Sequence, residues 1–189
     1  MKKILKPILA VLLIVIMAIS TAGCERVSED EAKNLVKTLV EKSYDLNDIY
    51  FGKGLNYVDS GNPNEIYMVV EVRERYITRS ALIIATREVF SQSYADSLIS
   101  AAFGGYNSEI NQGSVQSRYL VKNDDDLIYV NKNYKTAIEE INTYKFEKID
   151  INKISSRFIE ATVYTEKGQG VEVTLIKEKS EWRLDSATY

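Results

Sequence analysis

The sequence has no histidine and only one cysteine, Cys24. The missing imidazole removes the commonest general base and the commonest catalytic metal ligand. The Gly-x-Ser-x-Gly nucleophile elbow, the phosphate-binding loop and the dinucleotide fingerprint are also absent. With Cys24 committed to another role, as argued next, no cysteine nucleophile remains and no disulfide can form. Two carboxylates would suffice for a glycosidase, but no spacing among the 27 acids singles out a pair. These absences predict a protein that is not an enzyme and carries no cofactor and no metal.

The first residues have the order of an export leader. Lys2, Lys3 and Lys6 precede an unbroken apolar run, Ile8 to Ile19, and Ser20, Thr21, Ala22 and Gly23 supply small residues near a cut. The run is short for a membrane span, which needs roughly 20 residues. The cysteine follows directly, so Thr21-Ala22-Gly23-Cys24 resembles a bacterial lipobox, with Thr21 where leucine is usual. The expectation is cleavage after Gly23, lipid on Cys24 and anchorage to the outer face of the cytoplasmic membrane. An ordinary secretory leader with an incidental cysteine, or an uncleaved anchor, is the alternative. Residues 1–23 are thus read as a signal peptide, 24–28 as a lipidated tether and 29–189 as one domain. Removing the leader's 23 residues from 189 leaves 166, enough for a sizeable core. Losing its three lysines moves the net charge from −3 to −6. An acidic domain is repelled by anionic lipid and is a poor partner for nucleic acid.

Hydrophobic periodicity predicts the elements. Ser28 and Glu31 form a capping box before a helix whose inner face is Ala32, Leu35, Val36, Leu39 and Val40, ending near Ser43. Tyr44 to Phe51 is read as a further short helix or turn. Gly52 to Pro63 is a polar loop, and Ile66 to Arg73 a strand. Thr78 or Ser80 caps a helix through Phe90, and another runs from about Tyr94 to Phe103. Thereafter the period is two. A hairpin joins Arg118–Val121 to Leu127–Val130, and strands follow at Tyr144–Ile151, Arg157–Thr165 and Gly170–Glu178, with a last one carrying Trp182 as a core residue. Helices followed by antiparallel strands imply an α+β domain with N-terminal helices on a curved, mainly antiparallel sheet.

Three features invite a functional reading. Asn123 with Asp124, Asp125 and Asp126 is either a calcium site or, lacking the alternating spacing of a calcium loop, a polar turn. Arg73, Arg75, Arg79 and Arg87 are either a carboxylate- or phosphate-binding cleft or an edge neutralised by Glu71, Glu74 and Glu88. Of the 13 tyrosines, Tyr67, Tyr129, Tyr144 and Tyr164 belong in strands. Tyr57 and Tyr106 lie instead in glycine- and asparagine-rich loops and are the candidate partner-binding residues.

The helical start and the closing strands around Glu178-Lys179-Ser180-Glu181 and Trp182 resemble cone-shaped cystatin-like domains related to nuclear transport factor two, found in Gram-positive lipoproteins. The spacing of Tyr50-Phe51-Gly52, Val89-Phe90, Tyr94, Phe103, and Leu127, Tyr129 and Val130 resembles the DL-endopeptidase-inhibitor family of Gram-positive cell walls. That likeness implies a partner: a cell-wall hydrolase of the NlpC type, blocked by loops 52–63 and 104–113. A cone holding a small ligand, or a structural or assembly lipoprotein, are the other readings.

Overall fold

The computed structural model describes residues 27–104, 106–108, 113–115, 117–122, 125–136, 138 and 141–189, with backbone alone for 106–108 and 113–115. Cys24 and Gly23 lie outside the described residues. The elements are α1 (Glu29–Tyr50), β1 (Tyr67–Val69), α2 (Arg79–Val89), α3 (Gln92–Gly104), β2 (Tyr106–Ser108), β3 (Gly113–Val115), β4 (Tyr119–Val121), β5 (Ile128–Asn131), β6 (Tyr144–Ile154), β7 (Phe158–Thr165), β8 (Gly170–Glu178) and β9 (Glu181–Leu184). All strand pairing within the sheets is antiparallel. The fold is therefore α+β, but with its strands divided among sheets ordered β1-β5-β4, β2-β3 and β6-β7-β8-β9. The single sheet expected from the sequence is not formed.

Helix α1 starts where the capping box predicts, with the Glu31 amide donating to Ser28 Oγ at 3.2 Å. It does not end near Ser43. Ala32, Val36, Leu39, Val40, Leu46, Ile49 and Tyr50 are all buried, so the buried stripe continues to Tyr50. Polar residues within the stripe have partners. Ser43 Oγ and Thr188 Oγ1 are 2.8 Å apart, and Asn47 Nδ2 donates to Thr188 Oγ1 at 2.8 Å. The C-terminal residues thereby dock on α1, where Tyr189 also stacks on Phe51 at 3.8 Å between ring centroids.

The inner face of the four-stranded sheet presents Ile159, Ala161, Val163, Val173, Leu175 and Leu184, all at 1 % exposure or less. Alternation along β7, β8 and β9 places them there, in one core cluster with the buried face of α1, which packs against β6 and β9. Fully burying one such branched side chain contributes about 1.5–3 kcal/mol. Helix α2 is capped by Thr78, whose Oγ1 accepts from the Ala81 amide at 3.2 Å. Helix α3 begins two residues earlier than predicted because Ser91 Oγ accepts from the Tyr94 amide at 3.2 Å. The strand predicted over Ile66–Arg73 shortens to β1 plus a bridge at Val70. The sequence turns away at Glu71, where the Glu74 amide donates to Glu71 O.

Several tyrosine hydroxyls are buried. Burial raises the pKa of Tyr50 and Tyr119 above the ordinary tyrosine value. Hydrogen bonding to Thr86 offsets part of this for Tyr50, and the charge on Arg118 does so for Tyr119. Burial pushes Tyr144 up to about 12, with nearby Asn142 offsetting part of the rise. No acceptor or donor meets hydrogen-bond geometry at its hydroxyl. A pKa raised by folding means that the folded state holds the proton more tightly than the unfolded chain. Stability from these groups is therefore intact below about pH 10 and is lost as pH climbs toward 12. Thermal melts followed by circular dichroism should show a melting temperature that is flat from pH 7 to 9 and falls steeply above 10. An unchanged melting temperature at pH 11.5 would contradict this burial.

Candidate functional site

The segment after α1 is fixed by one buried cation. Arg118 is 3 % exposed. Its Nη1 donates to Tyr50 O at 3.0 Å and its Nη2 to Gly52 O at 2.6 Å. The last turn of α1 has no basic residue of its own. Arg118, from the far side of the fold, supplies the positive charge that helix carbonyl ends attract. Its guanidinium lies 5.6 Å from the Tyr119 ring centroid and 5.2 Å from that of Tyr134. Among the described residues no carboxylate forms an ion pair with it. Tyr119 OH donates to Ile49 O at 2.7 Å and accepts from the Leu55 amide at 3.2 Å. The chain passes so close that a Cβ on Gly54 would sit 2.3 Å from Arg118 Nη2, and Gly54 has φ +81°. Only glycine meets both demands without strain.

Beyond this clamp the chain runs alongside β1. Tyr57 bridges Val70, and the Val58 amide donates to Val69 O at 3.0 Å. The Glu71 amide donates to Asn56 O at 2.9 Å, and Asn56 donates to Glu74 Oε1 from its backbone amide at 3.0 Å and from Nδ2 at 2.5 Å. Tyr57 is thus held by a β-bridge at the edge of the sheet rather than on a free loop. Around it, Tyr57 is 38 % exposed, Val58 50 %, Val69 37 % and Val72 83 %. Because faces alternate along an extended segment, Tyr57 lies on the side of Val70 while Val58 and Val69 share the opposite side, and Val72 belongs to the turn beyond; Tyr57, the exposed aromatic on this fixed backbone, is the candidate contact residue. The next turn is ordered by its own side chains: the Gly61 amide donates to Asp59 Oδ1, the Asn62 amide to Ser60 Oγ and the Asn64 amide to Asn62 Oδ1.

Tyr106 does not join this edge. It begins β2, on the separate two-stranded sheet, with its backbone opposite Val115. The segment 104–113, expected to be a loop, is thus partly a hairpin, and residues 109–112 lie outside the described residues.

The other candidate clusters are absorbed by structure. Asp125 Oδ1 accepts from the Leu127 amide at 3.1 Å, and Asp126 Oδ2 accepts from the Ser80 amide at 3.1 Å, adding a second cap to α2. Asp124 lies outside the described residues, and among those described no three acidic side chains gather as metal ligands. The arginines diverge. Arg75 pairs with Asp45 at 3.3 Å and Arg87 with Asp96 at 2.8 Å, while Arg79 lies over Phe103, 5.4 Å from its centroid. Their ion-pair partners are therefore these aspartates, not Glu71, Glu74 and Glu88. Tyr67, Tyr129, Tyr144 and Tyr164 are strand residues, as their spacing predicts. Trp182 packs against the margin of the core rather than within it. It is only half-buried and lines a groove between α1 and β9. Position near the end of a four-residue edge strand leaves it beyond the full cover of α1.

Compared with known proteins, the chain matches no family model and no curated protein.

Proposed function

We propose that the chain is a non-enzymatic, lipid-anchored binding module of the cell envelope that blocks NlpC-type peptidoglycan DL-endopeptidases by occupying their cleft. The observation that carries this reading is the Tyr57 edge. Its apolar side chains are exposed, yet its backbone is fixed by Arg118, Tyr119 and the pairing to β1. An inhibitor that acts by occlusion needs a rigid protrusion and no catalytic groups of its own, because ordering a loose loop on binding would cost affinity. Val36 and Val40 of α1 and Ile159, Val163 and Leu175 of the sheet are all at 0 % exposure, which favours a protein partner over a small ligand held between helix and sheet. The same reading takes β6–β9 with α1 as a cystatin-like unit. Register shifts between Lys145 and Ile149 and between Ile151 and Lys153 are the kind of irregularity that bends a strand around a helix.

The functional test is titration of the purified protein into an NlpC-type endopeptidase acting on cell walls. Clearance of turbidity should slow and stop near one-to-one stoichiometry. No slowing at excess protein, with several such enzymes, would remove this reading.

Anchorage rests on Cys24. Among the described residues no helix is long and apolar enough to cross a membrane. A single diacylglycerol on the cysteine would hold the domain at the surface. Cys24→Ser is expected to abolish metabolic labelling with palmitate and to leave an uncleaved precursor on immunoblots. A mature Cys24 found unmodified by mass spectrometry would refute lipidation.

A further inference from the structure

We propose that the groove between α1 and β9 is a binding site for a neutral oligosaccharide, with Trp182 as its stacking platform. The groove has a volume of about 510 Å³. Trp182 sits opposite Lys177, whose ammonium lies over one side of its ring at 5.7 Å from the centroid, and on the same face of β9 as buried Leu184, yet it remains half-exposed, with Leu35 of α1 across the groove. Arg183 fixes this wall. Its Nε donates to Arg87 O at 2.8 Å, its Nη1 donates to Trp182 O at 3.0 Å, and its Nη2 pairs with Glu181. Three of its five N–H groups hold the strand, which fixes the guanidinium in place.

The rim carries the opposite kind of group. Glu31, Asn34, Lys42 and Glu88 line the same groove. None of the four makes a side-chain hydrogen bond or ion pair among the described residues. Acceptors, an amide and an ammonium thus surround one aromatic wall. Charges of both signs oppose each other here, which favours a neutral ligand over an anion or a cation. A pyranose ring fits that chemistry. Its C–H face packs on an indole, while its equatorial hydroxyls meet carboxylates, an amide and an ammonium. Aromatic walls with a few placed polar groups are the usual make-up of small-ligand grooves.

Trp182 is the only tryptophan, so emission from the full chain excited selectively at the indole, beyond tyrosine absorption, reports on this groove. Titration with chitotetraose or cellotetraose should quench and shift the emission to saturation. Preference for the acetylated sugar would assign the ligand to wall glycan, and preference for the plain one to another β-glucan. Trp182→Ala, read by calorimetry, should weaken binding about tenfold or more. Asn34→Ala, on the exposed face of α1, should weaken it about three- to tenfold with an unchanged melting temperature. No fluorescence change with either sugar at 10-millimolar order (~10 mM, far above ordinary ligand affinities), or unchanged binding in both variants, would overturn the proposal. Endopeptidase inhibition does not enter this readout, so the site and the inhibitor function fail separately.

Discussion

Replacing Arg118 with methionine is expected to lower the melting temperature by roughly 10 °C. Arg118 is buried and donates to two carbonyls at the end of α1, at 3.0 and 2.6 Å. Hydrogen bonds to a charged group contribute about 1.5–3 kcal/mol each, and the abandoned carbonyls would stay buried without donors. Methionine keeps much of the side-chain volume, so cavity formation adds little. A net loss of about 3 kcal/mol corresponds to roughly 6–12 °C in a domain of this size. Arg73→Met, at an exposed arginine with no ion pair among the described residues, is the control and should change stability by less than about 0.5 kcal/mol. Equal melting temperatures for the two variants would show that Arg118 does not clamp the end of α1.

What the sequence reveals of this fold follows from the range over which each force acts. Local signals were readable. Ser28 and Thr78 cap the helices they were expected to cap, and Val173 and Leu175 point inward by alternation. The strands expected at Arg157–Thr165 and Gly170–Glu178 form as β7 and β8, joined by a turn with Gly168 at φ +83°. Long-range pairing was not readable. Ser43 and Asn47 interrupt an apolar stripe and suggest a helix end, but Thr188, more than 140 residues away, satisfies them and lets α1 continue. Arg118 reads as the polar start of a strand. Only the tertiary structure brings it to the carbonyls of Tyr50 and Gly52, although the lack of a basic residue in the last turn of α1 was a hint that some cation must arrive. Tyr57 was legible as a loop aromatic, but its pairing with Val70 was not, because the segment between them is rich in turn residues and hides the register. Trp182 misled for a related reason: aromatics in strands are usually packed, and the extent of cover by α1 is a tertiary property.

The second large effect concerns recognition. Tyr57→Ala is expected to weaken endopeptidase binding roughly thirtyfold, since removing a central aromatic anchor typically costs about 2 kcal/mol or more. The fold should barely notice. Tyr57 is 38 % exposed, and the bonds that hold its segment run through Asn56, Leu55 and the backbone of Val58. A surface substitution of this kind changes stability by about 0.5 kcal/mol, or roughly 2 °C here. Arg118→Met and Tyr57→Ala thus separate the two roles: one loosens the support of the edge, and the other removes its contact while the support stays intact.

The most direct measurement is the rate at which an NlpC-type endopeptidase clears purified cell walls, with wild-type protein or Tyr57→Ala added in increasing amounts. Wild type should halt clearance near equimolar enzyme. Tyr57→Ala, matched in melting temperature, should need roughly thirty times more protein for half-inhibition. Clearance that is unaffected by the wild type, or inhibited equally by both proteins, would contradict occlusion by the Tyr57 edge.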